Sequence, residues 1–140
     1  MTYLDANVFI YAAAISSISD TKTVESQRIL QKVVEGRAKA STSLLTWDEV
    51  VWVCREALPY REAILKGNLI LNLPGLEVAE VTTAVVNKAA ELAATYNLKP
   101  RDAIHAATAI MSGEKEIITD DSDFDKVKEL KRISLAEASR

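Results

Sequence analysis

The chain has 140 residues, 49% of them hydrophobic and 26% charged, which is enough to bury a core and is the balance of a globular chain rather than a disordered one. Its formal net charge of −3 gives no general attraction to nucleic acid, although a local basic rim can still serve. The single cysteine, Cys54, rules out an internal disulfide, the N-terminus lacks the basic start of a signal peptide, and no apolar run reaches the roughly 18 residues of a membrane span. With no repeat, low-complexity tract or linker, the expectation is one cytoplasmic domain over residues 1–140.

Residues 1–11 are apolar, aromatic and β-branched, and read as a strand buried on both faces, as in a parallel sheet under helices. Asp5 lies in the middle of that stretch. A lone buried carboxylate is costly, so Asp5 needs backbone donors, a base or a cation beside it. Residues 12–22 read as a helical turn and a loop. Residues 23–35 read as a helix with Val24, Leu30, Val33 and Val34 near one face, Thr23 as cap and Gly36 as its end. Residues 40–45 suggest a second strand. The helix over 46–58 buries Trp47, Val50, Val51, Cys54 and Leu58, and Glu49 and Trp52 lie on another side. Residues 60–73 are helical despite Gly67 and stop at Pro74–Gly75. Residues 76–81 give a third strand. The helix over 82–96 is clearly amphipathic, through Val85, Ala89, Leu92 and Tyr96, with Asn97 capping its end. Pro100 opens an alanine-rich helix that Gly113 ends. A strand over 116–119, a loop over 120–124, a short helix over 125–130 and a strand over 132–135 close the chain. Strands alternating with helices imply an α/β fold, a three-layer sandwich with a central, mostly parallel sheet, and ligands in such folds sit at the carboxyl ends of the strands.

Four groups of acids fall near those ends: Asp5 on the first strand, Glu49 and Asp102 each in the first turn of a helix, and Asp120, Asp121 and Asp123 after the late strand. Several carboxylates within a few Å of one another raise each other's pKa unless a hard cation lies among them. Oxygen-only donors favour Mg²⁺ or Mn²⁺, and there is no Cys/His cluster to suit zinc. An ion of that kind suits phosphodiester hydrolysis. Each acid also has an ordinary structural explanation. Thr46-Trp47-Asp48-Glu49 has the form of a capping box. Asp102 suits a helix dipole, and the acids at 120–123 suit an Asx-turn and cap. Asp5 is the hardest to explain away. His105, the only histidine, reads first as a packing or hydrogen-bonding residue. Trp47 and Trp52 read as core and dimer-surface residues, and Cys54 as core.

Taken together these residues resemble the PIN-domain family, and within it the VapC-type toxin ribonucleases. The resemblance covers essentially the whole chain in order. It runs from Tyr3-Leu4-Asp5-Ala6-Asn7-Val8, through Ser43-Leu44-Leu45-Thr46-Trp47-Asp48-Glu49-Val50 and Asp102-Ala103-Ile104-His105-Ala106-Ala107-Thr108-Ala109, to Ile117-Ile118-Thr119-Asp120-Asp121-Ser122-Asp123-Phe124. On that pattern Asp5, Glu49, Asp102 and Asp121 carry over as the catalytic, metal-binding acids, and Asp123 as a supporting ligand. Asn7 and Thr119 would hold the carboxylates in place. The resemblance implies a metal-dependent endoribonuclease with one or two Mg²⁺ or Mn²⁺ ions, a homodimer and a small antitoxin partner. Lys22, Lys99, Arg101 and Lys115 are the candidate RNA contacts. Two other readings compete with it. One is an Asp-phosphorylated phosphotransferase, although Asn7 stands where a second aspartate would be wanted, or a receiver-like module, although neither its acidic pair nor its late lysine is evident. The other is a non-catalytic PIN-like binding module, against which the intact acids count.

Overall fold

The computed structural model describes residues 1–13 and 20–140. Its centre is a sheet of five parallel strands: β1 (Thr2–Leu4), β2 (Ala40–Ser43), β3 (Leu76–Ala79), β4 (Glu116–Ile118) and β5 (Lys131–Ile133), in the spatial order β3-β2-β1-β4-β5. Tyr3 is in register with Ser41 on one side and Ile117 on the other. The chain winds outward from β1 in one direction through β2 and β3, then returns to the other side of β1 with β4 and β5. The connection therefore reverses between β1 and β4, and a crevice opens there at the carboxyl ends of the strands.

Seven α-helices cover the sheet among the described residues: α1 (Ala6–Ala13), α2 (Thr21–Val34), α3 (Leu45–Cys54), α4 (Tyr60–Leu71), α5 (Thr83–Tyr96), α6 (Pro100–Met111) and α7 (Leu135–Ser139). Successive side chains of a strand point to opposite faces, so each strand feeds two cores. Leu4 and Ile118 pack with Val8, Phe9, Ile29, Val33, Val50 and Leu135 in the layer of α1, α2, α3 and α7. Tyr3 and Ile117 pack with Val85, Leu92, Ala103, Ala106 and Phe124 in the layer of α5 and α6. Full burial of a side chain such as Phe9 contributes on the order of 1.5–3 kcal/mol. The arrangement is the expected three-layer α/β sandwich.

Several boundaries differ from the sequence reading. The first strand stops at Leu4, and residues 6–13 form α1 instead of continuing it. Asp5 is thus at a strand end, where its N–H still donates to Ile118 O at 3.1 Å. The expected turn and loop over 12–22 lies largely outside the described residues; its flanks are helical, in α1 and α2. Asp20, rather than Thr23, caps α2 by accepting from Lys22 N, and the buried face is Thr23, Ser26, Ile29 and Val33, with Val34 exposed. Residues 122–126 form a 3₁₀ turn in place of a helix over 125–130; the expected last strand is present as β5, ending at Ile133 rather than at 135, and a short helix over 135–139, not expected from the sequence, follows it. Asn97 ends α5 in the left-handed region at φ 55° as expected. Gly67 does not merely weaken α4. A Cβ there would come within 2.7 Å of Val51 Cγ2 and 2.9 Å of Trp47 Cδ1, so glycine lets α4 lie close on α3.

Candidate metal centre

The site forms at the crevice between β1 and β4, and its first member is Asp5. Asp5 is 5% exposed, and both of its carboxylate oxygens are engaged. Oδ1 accepts from Ala6 N at 2.7 Å, at the start of α1, and Oδ2 accepts from Thr119 Oγ1 at 2.7 Å. Thr119 follows β4 directly, and its hydroxyl also accepts from Asn7 Nδ2 at 3.0 Å and from Asp121 N at 3.1 Å. One hydroxyl thereby ties the ends of β1 and β4, using one donor and two acceptor positions. Asn7 Oδ1 is buried and has no hydrogen-bond partner among the described residues.

The second side comes from the helices. Glu49 lies in the first turns of α3, but the capping box expected there does not form. Leu44 is the residue before the helix and makes no side-chain cap bond, and Thr46 Oγ1 pairs with Thr42 Oγ1 at 2.8 Å. Glu49 Oε1 instead meets His105 Nε2 of α6 at 2.5 Å. The other ring nitrogen, Nδ1, is 2.6 Å from Tyr3 Oη. His105 is completely buried, and its Nε2 is also 3.7 Å from Asp5 Oδ1. This bond joins α3, in one helical layer, to α6, in the other, across the edge of the sheet. Neither Tyr3 nor a Glu49–His105 contact is foreseen in the sequence reading. The only available signal was the three-residue spacing from Asp102 to His105, which sets both on one side of a helix.

The third side is the open one. One carboxylate oxygen from each of Asp102, Asp121 and Asp123 lies within 4.8 Å of the others. Asp102 is placed by the first turn of α6. Asp121 and Asp123 are placed by the 3₁₀ turn, where Asp121 Oδ1 accepts from Asp123 N at 2.9 Å. The sequence reading ranked Asp123 below Asp121, yet it stands in this group with Asp121. Burial, then the charges of Asp5 and Asp121, push the Asp102 carboxyl up to about 6, with Glu49 adding to the rise and His105 opposing it. Burial also raises Asp5, against the charge of His105 and the hydrogen bonds from Thr119 and Ala6. For His105, burial works to lower the pKa, but the Glu49 bond and the charges of Asp5, Glu49 and Asp102 outweigh it and the net shift is upward. Asp5, Glu49, Asp121 and Asp102 therefore share one electrostatic environment, and Asp123 joins Asp102 and Asp121 by proximity. All their donors are carboxylate oxygens, three of them close enough to converge on one ion, and their mutual repulsion is what a divalent cation would relieve. The donor set fits Mg²⁺ or Mn²⁺.

The candidate RNA contacts divide. Glu49, Lys99, Pro100, Arg101 and Asp102 line an open cleft of about 520 Å³ beside the acids. Lys99 makes no ion pair among the described residues, whereas Arg101 is 3.3 Å from Asp48. Lys22 is at the same edge but paired with Asp120 at 2.8 Å, and Asp120 also accepts from Tyr11 Oη at 3.0 Å. Lys115, expected among the RNA contacts, lies away from the acids. It precedes β4 and lines a surface with Met1, Glu114, Glu116 and Lys131, at the amino ends of the strands and so on the opposite edge from the acids. Spacing along the chain did not show which end of its strand it occupies. Trp47 is half-buried, Trp52 is 52% exposed with Arg55 stacked 3.8 Å from its ring, and Cys54 is buried as expected.

Comparison with known proteins now adds the family. Residues 2–130 match the model of the PIN domain, and the chain belongs to that family. The fold is similar to that of VapBC2 from Rickettsia felis bound to a promoter DNA fragment, with a TM-score of 0.71 and 16% identity, over 96% of this chain and 98% of that one. It is also similar to VapC20 of Mycobacterium tuberculosis, described as a sarcin-ricin loop cleaving toxin, with a TM-score of 0.72 and 15% identity over 91% and 95% of the two chains. A third likeness is to VapBC-1 of nontypeable Haemophilus influenzae, with a TM-score of 0.69 and 17% identity over 97% and 99%. Among curated proteins, none matches the chain by sequence. No described helix is long and apolar enough to cross a membrane.

Proposed function

We propose that this chain is a metal-dependent endoribonuclease that hydrolyses RNA phosphodiester bonds, and that it is the toxin of a cytoplasmic toxin–antitoxin pair. The observation that carries the reading is the group formed by Asp102, Asp121 and Asp123 beside Asp5 and Glu49, at the switch point of a PIN-domain sheet. Asp102, Asp121 and Asp123 would hold Mg²⁺ or Mn²⁺ directly. Asp5 and Glu49 supply the negative charge behind them and take part as ligands or as anchors of bound water. The ion, when bound, would activate water and offset negative charge on the phosphate. In the overall step the water oxygen bonds to phosphorus and the bond to the leaving ribose oxygen breaks, so one product ends in a phosphate and the other in a hydroxyl. Lys99 and Arg101, on the cleft wall beside Asp102, are placed to receive the phosphate backbone.

The structural neighbours include a toxin–antitoxin complex, and this supports a small antitoxin partner for this chain as part of the same proposal; the homodimer is proposed on the family resemblance alone. The test is incubation of the purified protein with total RNA in Mn²⁺, with and without EDTA, followed by mapping of the cut ends. Discrete, EDTA-sensitive cuts that disappear in Asp102→Asn are expected. Intact RNA with wild-type protein and Mn²⁺ would leave the non-catalytic binding module as the better account.

A further inference from the structure

We propose that Tyr3, His105 and Glu49 form a positioning chain in which His105 sets the Glu49 carboxylate for the ion site and Tyr3 sets the histidine. The inference rests on the nuclease reading above and assigns roles to two residues outside its acids. The geometry leaves few alternatives. A carboxylate accepts only, so the 2.5 Å contact requires a proton on His105 Nε2, directed at Glu49 Oε1. The other nitrogen, Nδ1, pairs with the Tyr3 hydroxyl at 2.6 Å, accepting from it in a neutral ring and donating to it in a protonated one. Tyr3 and His105 are both completely buried, so water does not compete for either bond. Tyr3 belongs to β1, two residues before Asp5, and its ring meets the imidazole edge-on at a centroid distance of 5.9 Å. The orientation of Glu49 is thereby referred back to the strand that carries Asp5.

The helix α3 begins at Leu45 without a side-chain cap, and Glu49, its fifth residue, lies beyond the capping position and turns to His105. One Glu49 oxygen is held by His105, and Oε2 makes no hydrogen bond among the described residues. The residue lines the same cleft as Asp102. This is the arrangement by which outer groups fix the aim of a ligand carboxylate, and their loss elsewhere weakens metal affinity or activity by about 10–100-fold. His105 and Tyr3 touch neither substrate nor ion in this account. They act through Glu49.

The experiment is a double-mutant cycle read by Mn²⁺ calorimetry and by kcat and KM on an RNA the wild type cuts. Tyr3→Phe removes one oxygen and keeps the packing. It should weaken Mn²⁺ binding and lower kcat several-fold, with KM nearly unchanged. His105→Ala should lose about 10–100-fold in Mn²⁺ affinity or kcat, and His105→Gln, whose side-chain amide can donate to Glu49, should recover part of that loss. In a Glu49→Ala background, Tyr3→Phe and His105→Ala should add little. If wild type binds Mn²⁺ and cleaves RNA but the losses are fully additive with Glu49→Ala, the positioning role is wrong and the nuclease reading stands. A fall in melting temperature with unchanged Mn²⁺ affinity and kcat in Tyr3→Phe overturns the role equally. A wild type that neither binds Mn²⁺ nor cleaves overturns both.

Discussion

Asp5 and Glu49 on one side of the crevice, and Asp102, Asp121 and Asp123 on the other, are the same chemical groups held in different ways. Asp5 has both oxygens bonded to the protein, and Glu49 has one on a buried imidazole. The other three are half-buried and stand within 4.8 Å of one another, and Asp121 spends an oxygen only on its own turn. On the tied side only Glu49 Oε2 lacks a protein partner among the described residues. The open side brings three carboxylates together with only Lys126, 3.7 Å from Asp123, as a paired cation among the described residues, and that difference identifies where an ion would gain most. Asp102 stands at the junction, where burial first and then the charges of Asp5 and Asp121 push its carboxyl up to about 6.

The largest effect should come from breaking the open side. Asp102→Asn removes a donor and a charge, and losing several kcal/mol of ion-dependent stabilisation corresponds to a fall in cleavage on the order of 100–1,000-fold. The metal-free variant should remain folded and be at least as stable as wild type, because a repelled carboxylate is gone. Thermal melts together with single-turnover cleavage check both statements. Cleavage within a few-fold of wild type would erase the distinction between the two sides.

A smaller effect sharpens the comparison through pH. An unfolded aspartate titrates near 3.8 and folded Asp102 near 6, raised first by burial and then by the charges of Asp5, Asp121 and Glu49, with His105 opposing them. Between those values the folded chain holds a proton that the unfolded chain has lost. Stability from this group is therefore fully present below about pH 4, is lost as pH rises through about 6, and is level above. Allowing for partial exposure, the loss is about 1–2 kcal/mol, and Asp5 acts in the same direction. Urea melts without metal should show the fall between pH 4 and pH 7, and saturating Mn²⁺ at pH 7 should reverse it. A metal-free stability that climbs over that interval would contradict the account.

The smallest effect concerns the rim. Lys99→Ala should raise KM for RNA roughly threefold and flatten its salt dependence. Lys115→Ala, at the other edge of the sheet, should change neither. Equal effects from the two variants would mean that RNA is not received at the carboxyl edge.

Much of this was legible in the residues, for identifiable reasons. The sheet and its helices follow from apolar periodicity, and the long helix over 83–96 with its Asn97 end was read nearly to the residue. The stretch at 6–11 was not. A short, fully apolar run has no periodicity to distinguish buried helix from buried strand, and only the turn at Asp5 decides it. The 3₁₀ turn at 122–126 and the helix at 135–139 are too short to leave a pattern. At the site, the order of the acid-bearing motifs brought out Asp5, Glu49, Asp102, Asp121 and Asp123. How they divide between a tied and an open side was hidden, because it depends on contacts between residues far apart in sequence, such as Glu49 with His105 and Thr119 with Asp5. The apparent capping box at 46–49 shows the same limit: local spacing offered Glu49 a partner in its own helix, and the tertiary structure supplied a better one.

The most direct test of the central claim is titration of the wild-type protein with Mn²⁺ by calorimetry at pH 7, with Asp102→Asn alongside. The account predicts saturable binding of one or two ions per chain, greatly weakened in the variant. A folded wild type that takes up no Mn²⁺ at millimolar concentration, or a variant that binds as tightly as wild type, would contradict it.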